Sequence, residues 1–240
     1  MQKMLSIKDL TIKANDKEIL HEISFDFKIG KIYAIMGVNG SGKSSLAKSI
    51  MGSEELFIEN GSITIGDKKI NALQSNERAS LGIFLSPQSP IALPGVTVGQ
   101  LLRTAISRSD MSSKELMQKI KSIAKELEIP KELLTRSLNE NFSGGERKKM
   151  EVLQAAILNP KYIILDEIDT GVDIDALGII ANFLKKFVQD SDKILILITH
   201  YNRILSYLDI DEVLVLRDGK ITEIGDSSLA EKIEKDGYTS

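Results

Sequence analysis

The order of apolar and polar residues predicts a chain that alternates between strands and helices. Residues 5–12 and 19–27 alternate apolar with polar side chains, as half-buried antiparallel strands do. Residues 31–36 form an apolar strand. Residues 162–166 and 193–199 are continuous apolar runs, which is typical of parallel strands buried on both faces. The last two runs end in polar residues, so we expect functional groups at the carboxyl ends of these strands.

Helical periodicity dominates the middle of the chain and returns after residue 166. It predicts helices at residues 98–107, 112–127, 146–157 and 175–188. Ser112 and Glu115 have the spacing of a capping box, and Pro130 marks a stop after that helix. Further strands are predicted at residues 61–65, 83–86, 212–216 and 220–224, the last two flanking a turn at Asp218 and Gly219.

Residues 37–44, with the sequence GVNGSGKS, lie between the first apolar run and a helix predicted to begin near Lys43. Glycines allow successive backbone N–H groups to turn toward one anion, and the helix N-terminus adds its positive dipole end. Lys43 can reach the outer phosphates of a nucleotide and the Ser44 hydroxyl can ligate magnesium, as in a P-loop. A glycine-rich turn that binds nothing would need neither side chain. The predicted nucleotide-binding residues are Gly37, Asn39, Gly40, Ser41, Gly42, Lys43, Ser44 and Ser45.

Composition limits the other functions. The 240 residues are 42% hydrophobic, enough for a sizeable core, and the net charge of -3 argues against a nucleic-acid-binding surface. There is no cysteine and there are only 2 histidines, so we expect any metal to arrive with the nucleotide. The first residues lack the apolar run of a signal peptide, and later apolar runs are too short to cross a bilayer. We therefore expect a cytoplasmic protein that does not insert into a membrane.

Asp166 and Glu167, at the end of the apolar run 162–166, form a second candidate site. The pattern is that of a Walker B strand, with Asp166 placed to hold magnesium and Glu167 to polarise the attacking water. Alone, an apolar strand ending in Asp-Glu is explained at least as well by a strand-end turn. Together with the phosphate loop, it predicts a site that hydrolyses a nucleotide.

Residues 142–146, with the sequence FSGGE, allow two interpretations. Ser143 and Glu146 have the spacing of a capping box for the helix that follows. Capping does not require Gly144 and Gly145, however, and such a helix start is itself an anion site. The stretch resembles the ABC-ATPase signature motif, usually written LSGGQ, and it lies upstream of the Walker B strand as in that family.

The resemblance to ABC ATPases covers essentially the whole chain and implies roles for further residues. Gln88 resembles the Q-loop glutamine, which touches magnesium and the attacking water. His200 resembles the switch histidine, which contacts the γ-phosphate. Asp173, in the sequence DTGVD, has the D-loop position that reaches across a dimer interface. Without the resemblance, Gln88 would be an ordinary loop residue and His200 a solvated one.

The family resemblance also implies the fold. It implies an α/β ABC-ATPase fold, in which a P-loop mixed-sheet core carries an N-terminal antiparallel β subdomain and an inserted α-helical lobe. We expect one domain over residues 1–240. Its nucleotide-binding core would comprise residues 1–87 and 158–240, and the helical subdomain residues 88–157.

The implied ligands are ATP and Mg2+. The resemblance assigns catalysis to Glu167, His200 and Gln88, and the metal to Ser44, Gln88 and Asp166. ABC ATPases of this kind close as head-to-tail dimers with two equivalent sites. Each ATP then lies between the P-loop of one copy and the signature motif of the other, which assigns further nucleotide contacts to Ser143, Gly144, Gly145 and Asp173.

Five dispersed stretches narrow the resemblance to the SufC branch of the family, the soluble ATPases of SUF iron–sulfur assembly. They are residues 83–90 with 93–96, then 139–146, 173–177, 198–205 and 237–238. The resemblance implies an ATP-dependent homodimer that moves a SufB/SufD-type scaffold, contacted by the helical lobe and Q-loop at about residues 88–103. The absence of cysteine agrees, because clusters need thiolate ligands. The alternatives are the nucleotide-binding subunit of an ABC transporter, and a switch whose output is ATP-dependent dimerisation.

Recognition of the nucleotide base departs from the family pattern. Ala14, flanked by Asn15, stands where many ABC ATPases stack an aromatic ring on adenine. The sequence therefore does not predict how the base is held or whether ATP is preferred to GTP. The nearby Phe25 and Phe27 alternate with polar residues and are expected in the core.

Positive charges at residues 147–149 lie near the predicted start of a helix, where the helix dipole disfavours them unless an acidic group is close. They could simply form a solvated face. Our hypothesis is that Lys148 pairs with Glu167 in the resting monomer and keeps this base from water.

Overall fold

The structure is a computed structural model that describes residues 4–86, 88, 91–106, 111–189, 191–201 and 203–238. Its strands are β1 (Leu5–Ala14), β2 (Lys17–Phe27), β3 (Ile32–Met36), β4 (Phe57–Ile65), β5 (Lys68–Lys69), β6 (Ile83–Ser86), β7 (Tyr162–Asp166), β8 (Ile194–Ile198), β9 (Glu212–Arg217) and β10 (Lys220–Gly225). Its α-helices are α1 (Lys43–Met51), α2 (Ser75–Ser80), α3 (Val98–Ala105), α4 (Ser113–Glu126), α5 (Gly144–Leu158), α6 (Ile174–Val188) and α7 (Ser227–Asp236). Short 3-10 helices occupy Lys131–Leu134 and Leu205–Tyr207.

The strands form two sheets, one of order β10-β9-β3-β8-β7-β6 and one of order β2-β1-β4-β5. In the first sheet, β9 and β10 pair antiparallel and the other neighbours pair parallel, so the sheet is mixed. The second sheet is antiparallel and supplies the predicted N-terminal β unit. The predicted fold class is therefore confirmed. Because β3, β7 and β8 are parallel, their carboxyl ends meet at one edge of the sheet.

The two faces of the mixed sheet bury separate hydrophobic clusters. On β3, Ile32, Ala34 and Met36 belong to the cluster that includes α3 to α7, whereas Tyr33 and Ile35 belong to the cluster with α1 and the antiparallel sheet. The pleat of a strand sends successive side chains to opposite faces. A strand covered on both faces is therefore apolar at every position, which explains why the strand predicted at residues 31–36 is apolar.

The expected core position of the two N-terminal phenylalanines is confirmed. The Phe27 ring makes edge-to-face contacts with Phe25 and Tyr33, at centroid distances of 4.8 and 5.0 Å. Phe27 is fully buried. The aromatic cluster therefore belongs to the packing between the two sheets.

Most predicted elements are present with shifted ends. The helix predicted at 146–157 begins earlier, at Gly144, because Ser143 caps it. The helix predicted at 98–107 ends at Ala105, and residue 107 lies outside the described residues. Periodicity missed β5, α2 and α7, which are short and mostly polar. The domain division at residues 88 and 157 stays a prediction.

Candidate active site

The turn after β3 can form only with glycine at two of its positions. A Cβ on Gly37 would lie 2.3 Å from the carbonyl oxygen of Leu216, and one on Gly42 would lie 2.6 Å from Leu20 Cδ2. Gly42 also has φ +105°, in the region that favours glycine. The chain can therefore pass tightly from β3 into α1, so that the N-terminus of α1 faces the turn.

Lys43, the first residue of α1, crosses this turn. Its Nζ donates hydrogen bonds to the carbonyl oxygens of Gly37 and Val38, at 2.7 and 3.0 Å. Burial lowers the pKa of Lys43, and the charges of Glu167 and Asp166 oppose that shift. Neutral carbonyls bind an ammonium less strongly than phosphate oxygens do. The lysine is thus available to exchange these carbonyls for a phosphate.

A cleft of about 580 Å³ opens above the turn, and we call it the phosphate-loop cleft. Of the predicted site residues it contains Asn39, Gly40, Gly42, Lys43, Ser44, Ser45, Gln88 and Glu167. Gly37 and Ser41 do not line it. Ser41 is buried, and its Oγ makes no hydrogen bond within the described part of the chain.

The opposite wall of the phosphate-loop cleft was not predicted. It consists of Lys17, Glu18, Ile19, His21, Asp218 and Gly219. His21 N–H donates to the Gly219 carbonyl at 2.9 Å, and Gly219 N–H donates to the Ser41 carbonyl at 3.0 Å. The turn between β9 and β10 therefore joins β2 to the phosphate loop. Ala14, at the position where many ABC ATPases stack an aromatic ring on adenine, does not line the cleft, whereas residues of β2 do.

Asp166 and Glu167 lie where β7 leaves the sheet, and both are buried. Burial raises the pKa of Asp166, whereas a hydrogen bond with Ser44 lowers it. Asp166 Oδ1 is buried and has no hydrogen-bond partner among the described residues. Glu167 has φ +53°, and its N–H donates to the Ile198 carbonyl at 2.9 Å. This turn directs the Glu167 side chain into the cleft.

Gln88 and His200 meet the two carboxylate oxygens of Glu167. Gln88 Nε2 donates to Glu167 Oε2 at 2.6 Å. His200 Nδ1 lies 3.7 Å from Glu167 Oε1, and it makes no hydrogen bond within the described residues. The predicted catalytic residues are therefore adjacent in space, although they follow three different strands. The neighbouring residues 87, 89, 90 and 202 of the quoted stretches lie outside the described residues.

The hypothesis that Lys148 pairs with Glu167 is wrong for this structure. Lys148 Nζ lies 3.4 Å from Glu151 Oε1 and donates to the Gln88 carbonyl at 3.4 Å. Glu151 also accepts a hydrogen bond from the Ser86 hydroxyl. Burial raises the pKa of Glu151, and the charge of Lys148 opposes the rise. This buried pair thus binds the Ser86 hydroxyl and the Gln88 carbonyl.

Ser143, Gly145 and Asp173 lie at a second cleft of about 210 Å³, which we call the Ser143 cleft. Ser143 is the N-cap of α5: Glu146 N–H donates to Ser143 Oγ at 3.2 Å, and Ser143 N–H donates to Glu146 Oε2 at 2.7 Å. The predicted capping box is thus confirmed. Asp173 caps α6, since Ala176 N–H donates to Asp173 Oδ1 at 2.8 Å.

Gly144 shows why capping alone does not explain the diglycine. A Cβ at Gly144 would lie 2.2 Å from the Gly171 carbonyl oxygen. The start of α5 is therefore pressed against the loop that precedes α6. The four residues assigned to the signature and D-loop motifs lie together, away from the residues that line the phosphate-loop cleft.

Comparisons with known proteins place these motifs in one family. The family described as ABC transporter matches residues 20–170. A protein of Escherichia coli (strain K12) named "Probable ATP-dependent transporter SufC" is 41% identical, over 98% of this chain and 97% of that protein. "Probable ATP-dependent transporter ycf16" of Guillardia theta is 43% identical, over 99% of this chain and 96% of that protein. The chain belongs to the ABC ATPase family.

Among solved structures, a dimeric ATP-binding cassette, MJ0796, in a post-hydrolysis state bound to ADP and Pi has a similar fold. Its TM-score is 0.81 and its identity 22%, over 93% of this chain and 98% of that chain. That likeness establishes the fold alone. Membership of the ABC ATPase family establishes that this chain binds ATP and hydrolyses it to ADP and phosphate.

Two further observations concern the described parts of this ABC ATPase. None of their helices combines the length and the apolar character needed to cross a bilayer. They contain no group of three or more His, Cys, Asp or Glu side chains that could hold a metal ion. A metal in the phosphate-loop cleft would therefore need hydroxyl, amide or phosphate oxygens in addition to carboxylates.

Proposed function

We propose that this ABC ATPase is the ATP-hydrolysing subunit of a SUF-type iron–sulfur cluster assembly complex. In this proposal, two copies close around ATP and move a SufB/SufD-type scaffold in the cytoplasm, without nucleic acid. The observation that carries the proposal is the similarity, over nearly the whole length, to the Escherichia coli protein named SufC. The five SufC-like stretches support it. A chain without cysteine would supply energy to such a complex rather than cluster ligands.

In the proposed mechanism, Glu167 accepts the proton of the water that attacks the γ-phosphate. Gln88 supports this role because its amide holds one carboxylate oxygen at 2.6 Å. A general base of this kind contributes about 10²–10⁴-fold to the rate. Lys43 exchanges its loop carbonyls for phosphate oxygens, and His200, next to Glu167, contacts the γ-phosphate from the end of β8.

Asp166, together with Ser44 and Gln88 of the phosphate-loop cleft, fits Mg2+. The buried Asp166 Oδ1 lacks a partner among the described residues, and Ser44 hydrogen-bonds to the same carboxylate. Carboxylate, hydroxyl and amide oxygens are the ligands that this hard cation prefers. We propose that Asp166, Ser44 and Gln88 hold the ion together with the ATP phosphates. When bound, it would neutralise charge that develops on the phosphates.

The separation of the two clefts supports a head-to-tail dimer. Within one copy, the Ser143 cleft lies apart from the residues that bind the nucleotide in the phosphate-loop cleft. Two-fold closure would bring the Ser143 cleft of each copy over the ATP of the other. The N–H groups at the start of α5 would then face a phosphate. An isolated copy would be a weak ATPase.

We propose that the scaffold contacts residues 88–103. Among the large hydrophobic side chains that the structure describes, Ile91 is the most exposed, at 77%. Gln88, the first residue of this segment, donates to the Glu167 carboxylate through its side chain and accepts from Lys148 through its carbonyl. This connection supports coupling between scaffold movement and hydrolysis.

The second candidate function is the nucleotide-binding subunit of a membrane transporter. The description of the matched family and the printed names of several relatives favour it. A pure dimerisation switch is disfavoured, because Gln88 and His200, which are proposed for hydrolysis, both lie next to Glu167.

Isolation of the Glu167→Gln variant from its native cells with Mg-ATP distinguishes these candidates. The substitution should preserve nucleotide binding and slow hydrolysis, so that closed dimers accumulate on their partner. Recovery of scaffold proteins that carry iron is the expected result, whereas recovery of a polytopic membrane protein would overturn the proposal in favour of the transporter. The Lys43→Ala/Glu167→Gln variant is the control, since it should lose the ATP-dependent fraction of the recovered partner.

A further inference from the structure

The hydroxyl of Tyr238 connects two parts of the active site. Gly37 N–H, the first amide of the phosphate loop, donates to Tyr238 Oη at 3.2 Å. The same hydroxyl donates to the carbonyl oxygen of His200 at 3.5 Å. A phenol has one O–H donor and accepting lone pairs, so it can make both bonds at once.

The local structure positions this ring. Helix α7 is capped by Asp226, whose Oδ1 accepts the Ser228 N–H at 2.9 Å, and its buried face packs on the core. Gly237 follows α7 with φ +77°, a conformation that favours glycine. This residue redirects the chain after α7. The Tyr238 ring then packs half-buried against the larger core cluster, below the phosphate loop.

Few other bonds fix the orientation of His200. Its Nδ1 makes no hydrogen bond among the described residues, and its ring contacts Tyr201 at a centroid distance of 3.9 Å. The imidazole direction therefore depends on the main chain at residues 199–201. Thr199 holds one side of that main chain, because its hydroxyl accepts the Tyr201 N–H at 3.0 Å. The hydroxyl of Tyr238 holds the His200 carbonyl itself.

We propose that Tyr238 is a positioning residue for ATP hydrolysis: its hydroxyl fixes the His200 main chain relative to the first glycine of the phosphate loop. Tyr238 does not line the phosphate-loop cleft, and in this proposal it acts through His200. The inference rests on the proposed contact of His200 with the γ-phosphate. Its effect should fall on the hydrolysis step, because Tyr238 bonds to none of the residues that line the cleft, and Gly37, whose N–H it accepts, does not line it.

The Tyr238→Phe variant tests this inference, because it keeps the ring and its packing but removes the hydroxyl. In the full chain with Mg-ATP, we expect kcat to fall about three- to tenfold, the effect of losing one hydrogen bond, with KM changed less than about twofold. The melting temperature should stay close to that of the parent. Tyr207→Phe is the matched control, since that ring lies half-exposed at the end of the 3-10 helix Leu205–Tyr207.

A double-mutant cycle separates the two proposals. If Tyr238 acts through His200, then His200→Ala/Tyr238→Phe will have the kcat of His200→Ala alone. An unchanged kcat in Tyr238→Phe, or an equal fold-loss with and without His200, would overturn the tyrosine inference and leave the role of His200 standing. An unchanged kcat in His200→Ala would overturn the proposed role of His200, and the inference with it.

Discussion

Gln88 Nε2 and Glu167 Oε2 lie 2.6 Å apart, so an exposed loop side chain holds a buried carboxylate. The loop after β6 and the turn after β7 are thereby joined at the proposed base. A movement of Gln88 would therefore reorient the Glu167 carboxylate directly.

Gln88→Ala should lower kcat about tenfold, because the carboxylate loses the donor that orients it toward water. The affinity for Mg-ATP should fall less than kcat does, since the phosphate loop, Ser44 and Asp166 are unchanged and only one proposed metal ligand is lost. Steady-state hydrolysis and equilibrium binding of a fluorescent ATP analogue would measure the two quantities. Gln154→Ala is the matched control, because the Gln154 amide donates to the Met150 carbonyl within α5, away from the cleft. Equal kcat values in both variants would contradict the proposed role.

Gly144→Ala should destabilise the protein by about 1–3 kcal/mol, because its Cβ would lie 2.2 Å from the Gly171 carbonyl oxygen and the start of α5 would have to shift. Urea unfolding measures this loss. Gly178→Ala is the contrasting variant: its Cβ would lie 3.7 Å from Tyr207 Cε1, an ordinary contact in the interior of α6. It should stabilise the protein by about 0.5–1 kcal/mol. If the two variants changed the free energy of unfolding by similar amounts, the Gly171 carbonyl would not restrict the side chain at position 144.

Lys148→Met should cost about 3 kcal/mol near pH 8, because it leaves the buried Glu151 without its cation. The loss should be smaller near pH 5. Without Lys148 the pKa of Glu151, already raised by burial, rises further, and the folded protein then keeps a proton that the unfolded chain releases. Stability therefore falls as the pH rises from the ordinary glutamate range to this raised pKa.

Urea unfolding at pH 5 and pH 8 would measure this difference. Lys185→Met is the control, since Lys185 pairs with Asp209 at an exposed site and should contribute less than about 1 kcal/mol at either pH. A loss for Lys148→Met that does not change with pH would contradict the assigned pairing with Glu151.

Arg78→Lys should destabilise the protein by about 3 kcal/mol despite keeping the charge. The buried guanidinium donates to the carbonyls of Leu73, Ser49, Ile50 and Asn71, two of which lie in the last turn of α1. A lysine cannot reproduce this fork of donors, so buried carbonyls would lose their partners. Arg217→Lys, at an exposed position, should stay within about 0.5 kcal/mol of the parent in thermal and urea unfolding. If Arg78→Lys and Arg217→Lys had equal stabilities, the positive charge alone would account for the contribution of Arg78 to stability.

The sequence predicted features that depend on local pattern. The apolar runs located β3, β7 and β8, and the spacing of Ser143 and Glu146 predicted the capping box. The polar ends of the runs 162–166 and 193–199 predicted functional groups at the carboxyl ends of β7 and β8, and parallel strands share that edge. The proximity of Gln88, Glu167 and His200 follows from that topology. Their chemical roles remain proposals.

Features that depend on packing between distant segments were missed. The wall of the cleft formed by β2 and the turn at Asp218 depends on the contact between the β9–β10 turn and the phosphate loop. The local sequence does not show this contact. The contact between Gly144 and Gly171 has no local signal either. Lys148 is different, because its partner Glu151 stands three residues later on the same helix. Helical spacing alone could have found that pair.

The division of the site between two clefts has a consequence for mixed populations. In the proposed dimer, a copy with a substitution at Lys43 still contributes an intact Ser143 cleft to the site of its partner. A copy with a substitution at Ser143 still contributes an intact phosphate loop. A dimer of one Lys43 variant and one Ser143 variant would therefore have one intact site, and its other site would carry both substitutions. In an equal mixture of the two inactive variants with random pairing, roughly a quarter of the sites would be intact. Recovery of ATPase activity in this mixture would show that the two copies share each active site.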